Sequence, residues 1–313
     1  MALLLNEEHV RALLPMPRLV DVMERALIDY SSGHVEQPVR SVVDVGVDHN
    51  FFGVMPASMP GALGAKLVTF FISNASRGLP THFATVVLLH PETGELQCIL
   101  DGRYLTEART AAVSAVSAKW LARSGAKNLA IIGCGVQAHS HYEALTHVIP
   151  FQRVTVWGRN PEKLAAFCDG KSVQPAVSIK EAVSEADVVA LVTAAREPIV
   201  FDAWIRPGTH LIAVGACRPN HRELEGRLVA RSRFVVDSRA GALKEAGDLL
   251  LAIEEGLIGP DHIAAELGER PQRMSETEVT VFKSLGMAVE DVAAARMAFD
   301  LARAAGIGFE FRF

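Results

Sequence analysis

Between residues 119 and 270 the chain alternates short apolar runs with helix-like stretches, and this rhythm restricts the fold more than any other feature. The runs read "NLAIIG", "RVTVWG", "DVVALVT", "HLIAVGA" and "RFVVDS". They are nearly continuous in apolar residues, as strands are when both faces of a sheet are covered. Strands separated by helices imply βαβ units and a parallel sheet. The first run ends in "IIGCGVQA", which places Gly133, Gly135 and Ala138 at the G-x-G-x-x-G/A spacing. A helical stretch follows, and "RVTVW" completes the unit within about 30 residues, the context that distinguishes a dinucleotide-binding turn from a chance match. In such a turn the first glycine permits the tight bend. The second lets the backbone approach a pyrophosphate at the helix N-terminus, and Ala138 keeps helix and strand close.

Sites for NAD usually carry Asp or Glu at the end of the second strand, bound to the ribose 2′-hydroxyl. Here Gly158 stands in that place, followed by Arg159 and Asn160. A guanidinium there suits a 2′-phosphate, which favours NADP(H) and leaves NAD(H) possible.

The flanking regions differ in texture. Residues 1–118 mix helices with apolar strands, "RSVVDVGV", "GAKLVTFFI" and "FATVVLLH", with "ETGE" as a hairpin turn before "LQCIL". "MALLL" reads as a short strand, and Asn6 caps a helix with Glu7 and Glu8 in its first turn. The tail, 271–313, reads as helical and is expected to pack back on the first region. The expected fold is α/β: a Rossmann nucleotide-binding domain over 119–270, inserted in a discontinuous α/β substrate-binding and dimerisation domain over 1–118 and 271–313. Long apolar strands with few covering helices form an association surface, so a homodimer with twofold symmetry is expected.

Composition narrows the function classes. Half of the 313 residues are apolar and the net charge is −5, without the basic face of a nucleic-acid binder. No run approaches the roughly 18 apolar residues of a membrane span, and the N-terminal apolar run is too short for a signal peptide. Cys98, Cys134, Cys168 and Cys217 are widely spaced, with no C-x-x-C pair, and predict reduced, mostly buried thiols in a cytoplasmic protein. His139 and His141 sit two apart on a helix and face different ways, so they make no metal site.

Two cations stand where apolar neighbours are expected. Lys66, in "GALGAKLVTFFI", shares a strand face with Gly64, Val68 and Phe70, which is costly unless an anion is present; snorkelling to the surface is the alternative. In "LTEARTAAVSAVSAKW", Thr106 is a good N-cap, which makes Arg109 the third helical residue, on a stripe with Ala112, Val113 and Val116. A cation opposes the dipole there. With the helix N–H groups it would suit a carboxylate or phosphate, and a structural salt bridge is the competing reading. Arg40, in "EQPVRSVVDV", carries no signal alone, and His82, in "LPTHFATVV", is open between a satisfied histidine and a site residue.

At these residues the chain resembles the ornithine cyclodeaminase/mu-crystallin family. "PVRSVV", "AKLVTFF", "PTHFATVVLLHPETGELQCILDG", "LTEARTAAVSAVSAKWL", "IIGCGVQAHSHYEAL", "EPIVFDAWIRPGTHLIAVGACRPNHREL", "VVDSRAGALKEAGDLL" and "TVFKSLGMAVED" carry the resemblance, over almost the whole length and nearest to the family's mu-crystallin side. It implies a Rossmann domain with an α/β dimerisation domain, and NAD(P)(H) used on amino acids, their imines or cyclic ketimines. Substrate-carboxylate residues fall on Arg40, Lys66 and Arg109, with Lys66 and Arg109 taken as catalytic and His82 as a candidate acid beside the substrate. Cofactor contacts fall on Thr85, Arg109, the turn residues Gly133, Gly135, Val136, Gln137 and Ala138, Arg159, Asn160 and Thr193. Leu285 and Gly286, in "SLG", would close the substrate site.

Two departures bear on the reaction. Cyclodeaminases carry an aspartate in a "VGGD"-type segment, where this chain has "VGAC" with Cys217. They also carry a glutamate for the distal amine, where this chain has Gly53. A neutral thiol is a poor substitute for a carboxylate and glycine offers no side chain. The resemblance therefore implies an NAD(P)H-dependent reductase of cyclic imine carboxylates, giving proline or pipecolate. Ornithine or lysine cyclodeaminase and alanine-dehydrogenase-type activity are alternatives on the same fold. A non-catalytic, nucleotide-dependent binding protein is the alternative of another class.

Overall fold

The computed structural model describes residues 1–46 and 50–312. The chain divides into two compact units, one of 1–110 with 286–313, the other of 111–285. The boundaries expected at 118/119 and 270/271 move to 110/111 and 285/286.

The first unit opens with β1 (Ala2–Leu5), α1 (Glu7–Leu13) and α2 (Met16–Ser31). Asn6 Oδ1 caps α1 by accepting from His9 N at 2.9 Å. Then come β2 (Ser41–Val45), β3 (Asn50–Met59), β4 (Ala62–Phe70), β5 (His82–Leu89) and β6 (Leu96–Asp101). The last residue of the expected strand "RSVVDVGV", Val47, lies outside the described residues. Strand β5 returns through the expected turn to β6 as an antiparallel pair. Helix α3 (Arg103–Leu121) starts three residues before Thr106. Asp101 Oδ1 accepts from the N–H groups of Arg103 and Tyr104 at 3.1 and 3.3 Å, so the first amides are satisfied a turn earlier than a Thr106 cap allows. Thr106 Oγ1 instead donates to Gly102 O at 2.7 Å, and Arg109 lies in the second turn.

The second unit carries β7 (Asn128–Ile132), α4 (Val136–Val148), β8 (Arg153–Trp157), α5 (Pro161–Cys168), β9 (Gln174–Pro175), α6 (Ile179–Ser184) and β10 (Val188–Leu191). It continues with β11 (His210–Ala213), α7 (Gly226–Arg231), β12 (Arg233–Val236), α8 (Arg239–Glu245), α9 (Gly247–Glu254), β13 (Ile263–Glu266) and β14 (Thr280–Lys283). All strands pair in parallel, in the order β13-β12-β14-β11-β10-β7-β8-β9. The order reverses at β7, and such a switch point is where open α/β sheets bind ligands beyond the strand ends. This is the expected Rossmann-type sheet of five strands with three additions: β9 and β13 at its edges, and "TVFK" of the tail as β14, between β11 and β12.

The tail then returns to the first unit as α10 (Ala288–Ala305) and β15 (Phe309–Phe311). The first unit's sheet runs β15-β1-β6-β5-β4-β3-β2, so the tail ends in a strand that pairs with β1. Helix α10 packs on β3, β4, β5 and α2 through buried small residues, among them Ala294, Ala295 and Ala298. A Cβ at Gly64 of β4 would meet Val87 O at 2.5 Å and Val292 Cγ2 at 3.4 Å, which keeps that position glycine. The other sheet face leaves Val43, Leu67 and Phe83 exposed. No helix among the described residues is long and apolar enough to cross a membrane.

Candidate active site

Lys66 sits in β4 on the face that α10 covers and is 2% exposed. Its Nζ ion-pairs with Asp291 Oδ2 at 2.8 Å, while Thr106 Oγ1 stands 3.5 Å away, the outer limit of a hydrogen bond. Arg109, 4% exposed, donates from Nε to Asp291 Oδ1 at 2.9 Å and from Nη1 to Glu290 Oε2 at 2.5 Å. Both carboxylates belong to the first turn of α10 and are fully buried. Asp291 thus bridges the two cations. The anion Lys66 requires is supplied by the chain itself and the side chain does not snorkel to the surface, while Arg109 makes the structural salt bridge foreseen as its competing reading. Arg40, just before β2, is half-buried and donates from Nη2 to Gly286 O at 3.1 Å. Gly286 has φ +80°, and a Cβ there would lie 2.5 and 2.8 Å from Arg109 Nη1 and Nη2. It must be glycine for its backbone and for the closeness of the guanidinium.

The pairing leaves this cluster electropositive. Burial pushes Lys66 down to about 8; Asp291 works against the fall, and Arg109 and Arg40 add to it. Arg109 is disfavoured by burial, yet Asp291 and Glu290 outweigh that and hold its pKa above the ordinary value. Asp291, for its part, is opposed by burial and held below the usual carboxylate range by Arg109 and Lys66. Burial is the largest cause of the low value, and with Arg40 beside them three cations face the two carboxylates Glu290 and Asp291, so a further anion would favour charged Lys66.

His82 lies on the same sheet face as Lys66, since Phe70 is its register partner. Burial, then Lys66 and Arg109, push it down to about 4. This disfavours the imidazolium in the unliganded site, where His82 and a water were the candidate acids. Thr85 is the register partner of Leu67 and is exposed on the opposite sheet face, apart from the cluster. The helix N–H groups expected beside Arg109 lie a turn further back, at Arg103 and Tyr104.

In the second unit the glycine turn fits a dinucleotide. Gly133 has φ +122°, donates to Trp157 O at 2.8 Å, and leaves only 2.8 Å between a Cβ and Val192 O. Gly135 has nothing within 4 Å of a Cβ position, so a ligand can reach the backbone there. The next residues, Val136 and Gln137, present the first amides of α4, and Ala138 is fully buried. Gly158 is glycine because a Cβ would collide with the Cys134 thiol. Arg159 beside it is exposed, whereas Asn160 Oδ1 caps α5 by accepting from Lys163 N at 2.9 Å. Thr193 is bound to the buried Glu223, Leu285 donates to Asp237 Oδ2 at 2.6 Å, and Cys217 is exposed with its thiol donating to Val214 O at 3.2 Å. Of the four free thiols only Cys98 is buried, so "mostly buried" does not hold. Among the described residues no group of three or more His, Cys, Asp or Glu side chains could hold a metal.

The model of the ornithine cyclodeaminase/mu-crystallin family matches residues 2–306. The chain belongs to that family. It is 45% identical to the rat (Rattus norvegicus) ketimine reductase mu-crystallin over 307 residues, 94% of each chain. Among solved structures it is similar to Thermococcus litoralis Δ1-pyrroline-2-carboxylate reductase in complex with NADH and L-proline. That match has TM-score 0.96 and 34% identity, and covers 99% of this chain and all of the other. An archaeal alanine dehydrogenase dimer with bound NAD gives TM-score 0.95 at 31% identity, over 100% and 99% of the two chains.

Within this family member, the sequence reading missed the buried acids Glu290 and Asp291. Their signal was two adjacent carboxylates opening an alanine-rich helix, easily discounted because acids in a first turn favour the dipole. The contact at Gly286 gives a test. Alanine at Gly306, also at positive φ but with open space around its Cβ, should cost about 1–2 kcal/mol for conformation alone. Gly286→Ala should lower the melting temperature clearly more, because it also displaces the Arg109 guanidinium. Equal losses in thermal melts of the two variants would refute the close-approach argument.

Proposed function

We propose that this protein is an NAD(P)H-dependent reductase of cyclic imine carboxylates, converting Δ1-pyrroline-2-carboxylate or Δ1-piperideine-2-carboxylate to L-proline or L-pipecolate. The observation that carries this reading is the electropositive cluster of Lys66 and Arg109 with Arg40 beside it. Lys66, Arg109 and Arg40 hold the substrate carboxylate, while Glu290 and Asp291 keep the first two cations charged and in place. Fixing the carboxylate fixes the imine carbon, which is an orientation effect. A bound dihydronicotinamide supplies the hydride. Burial and the neighbouring cations disfavour the imidazolium of His82, so in this reading the proton on the imine nitrogen comes from solvent. The first unit serves the substrate and the second the nucleotide, through the glycine turn. The ketimine-reducing and pyrroline-carboxylate-reducing relatives support this reading.

Cyclisation of ornithine fits less well. Position 53 shares a sheet face with Lys66, because Gly53 pairs with Val68 where Met55 pairs with Lys66. The residue there is glycine, so no side chain reaches from this position for a distal ammonium. Cys217 replaces the carboxylate that would exchange protons with amine or water. The expected outcome is oxidation of NADPH with five- or six-membered cyclic ketimines, and no proline from ornithine with NAD. Vigorous ornithine turnover, or no oxidation with any ketimine, would overturn the assignment.

NADPH is the preferred reductant in this reading, through the exposed Arg159. Arg159→Ala should raise the NADPH KM and leave the NADH KM nearly unchanged; equal effects on both would make Arg159 structural. The protein is also read as a homodimer, built on the face bearing Val43, Leu67 and Phe83 and in keeping with the dimeric alanine dehydrogenase relative. Light scattering at micromolar concentration should give twice the chain mass, and a stable monomer would count against it.

A further inference from the structure

The second unit contains a fully buried carboxylate that the proposed chemistry does not use. Glu223 Oε1 accepts from Thr193 N at 3.0 Å and from Thr193 Oγ1 at 2.7 Å, and its Oε2 accepts from Gly215 N at 2.8 Å. One side chain therefore ties together the segments leaving β10 and β11, just past the carboxyl ends of neighbouring strands. The Thr193 hydroxyl, having given its proton to Glu223, accepts from Ala195 N at 3.2 Å and orders the next residues. Gly215 is pressed against this arrangement, where a Cβ would overlap Thr193 O.

Glu223 is itself fixed. Its backbone N–H and that of Leu224 donate to Asp248 Oδ1 at 2.8 and 2.9 Å. Asp248 Oδ2 pairs with the buried Lys283 at 2.9 Å, and Lys283 Nζ also donates to Ala216 O at 2.5 Å. A buried ionic network is expensive to assemble, and replacing it with apolar side chains is often neutral for stability. Its geometry here serves backbone placement. Val192, next to Thr193, donates to Ile132 O at 2.9 Å, and its carbonyl stands where a Cβ of Gly133 would be. The strand end that Glu223 holds is thus one wall of the glycine turn.

We infer that Glu223 is a positioning residue for the nucleotide: by clamping Thr193 and Gly215 it sets the wall against which the glycine turn and its dinucleotide are placed. This rests on the reading of the second unit as the nucleotide-binding unit. Glu223→Gln keeps the shape but turns an amide NH₂ toward one of three donors, so at least one hydrogen bond becomes a donor–donor contact.

The test is direct fluorescence titration with NADPH and NADH, alongside steady-state kinetics and thermal melts. Wild-type protein is expected to bind; absence of binding would overturn both the clamp and the nucleotide reading. In Glu223→Gln, the Kd of both nucleotides should rise tenfold or more, with kcat at saturating nucleotide and the imine KM changed less than threefold. A folded Glu223→Gln variant with wild-type nucleotide Kd would overturn the clamp alone, whatever its melting temperature. Should Glu223→Gln fail to melt cooperatively, Glu223→Asp decides, since it keeps the carboxylate but is one methylene too short to span Thr193 and Gly215 together. It should weaken binding of both nucleotides severalfold, and an unchanged Kd would overturn the inference.

Discussion

Asp291 accepts from Lys66 and Arg109 at once, with all three side chains almost wholly buried, and the first unit is arranged around that shared ion pair. Removing a charge from water costs several kcal/mol even after relaxation, and only close, multiply bonded partners offset it. Three elements must therefore meet within hydrogen-bond distance: β4 brings Lys66, α3 brings Arg109, and the first turn of α10 brings Glu290 and Asp291. Gly64 lets α10 lie close on β4, and Gly286 lets the chain enter α10 past the guanidinium. Removing any one charge strands the others, at about 3–5 kcal/mol for a broken buried pair. The cluster stands or falls as a unit.

The cations are held by carboxylates yet are not neutralised by them. Lys66 at about 8 records what is left over after burial, Asp291, Arg109 and Arg40 have all acted. In the proposed reaction a substrate carboxylate would bring a further negative charge, and its orientation would follow from where it sits. In the second unit the buried carboxylate of Glu223 is spent on backbone N–H groups and a hydroxyl. Buried carboxylates thus serve different partners in the two units, cations in the first and backbone N–H groups with a hydroxyl in the second.

Much of this was legible in the sequence, and the failures have identifiable causes. Lys66 was visible because strand periodicity assigns each side chain a face, and a cation among Gly64, Val68 and Phe70 violates the pattern. Arg109 was selected with a wrong local reason: Thr106 resembles a cap, but Asp101 satisfies the first amides of α3 sooner. The face of Thr85 was not legible, because parity across β4 and β5 depends on which residues pair, and Lys66 pairs with Val86. Strand β14 was hidden because the tail reads as helical and a four-residue run ending in lysine carries little strand signal; the partner that makes Lys283 tolerable, Asp248, lies 35 positions earlier (283 − 248). Strand β3 was hidden by Gly53 and Pro56, which read as turn residues. Family membership was legible from motifs alone and agrees with the match over residues 2–306.

The central claim is that the Lys66–Arg109 cluster is short of one anion. Calorimetry of pyrrole-2-carboxylate, a planar unreactive carboxylate, measures this when run near pH 8.5 with saturating NADP⁺ in buffers of different ionisation enthalpy. Bound carboxylate favours charged Lys66, so its pKa must rise from about 8, and the protein must take up a sizeable fraction of a proton. Lys66→Arg, charged throughout, should bind with no such uptake. Binding without buffer dependence in the wild-type protein, or equal uptake in Lys66→Arg, would contradict the account.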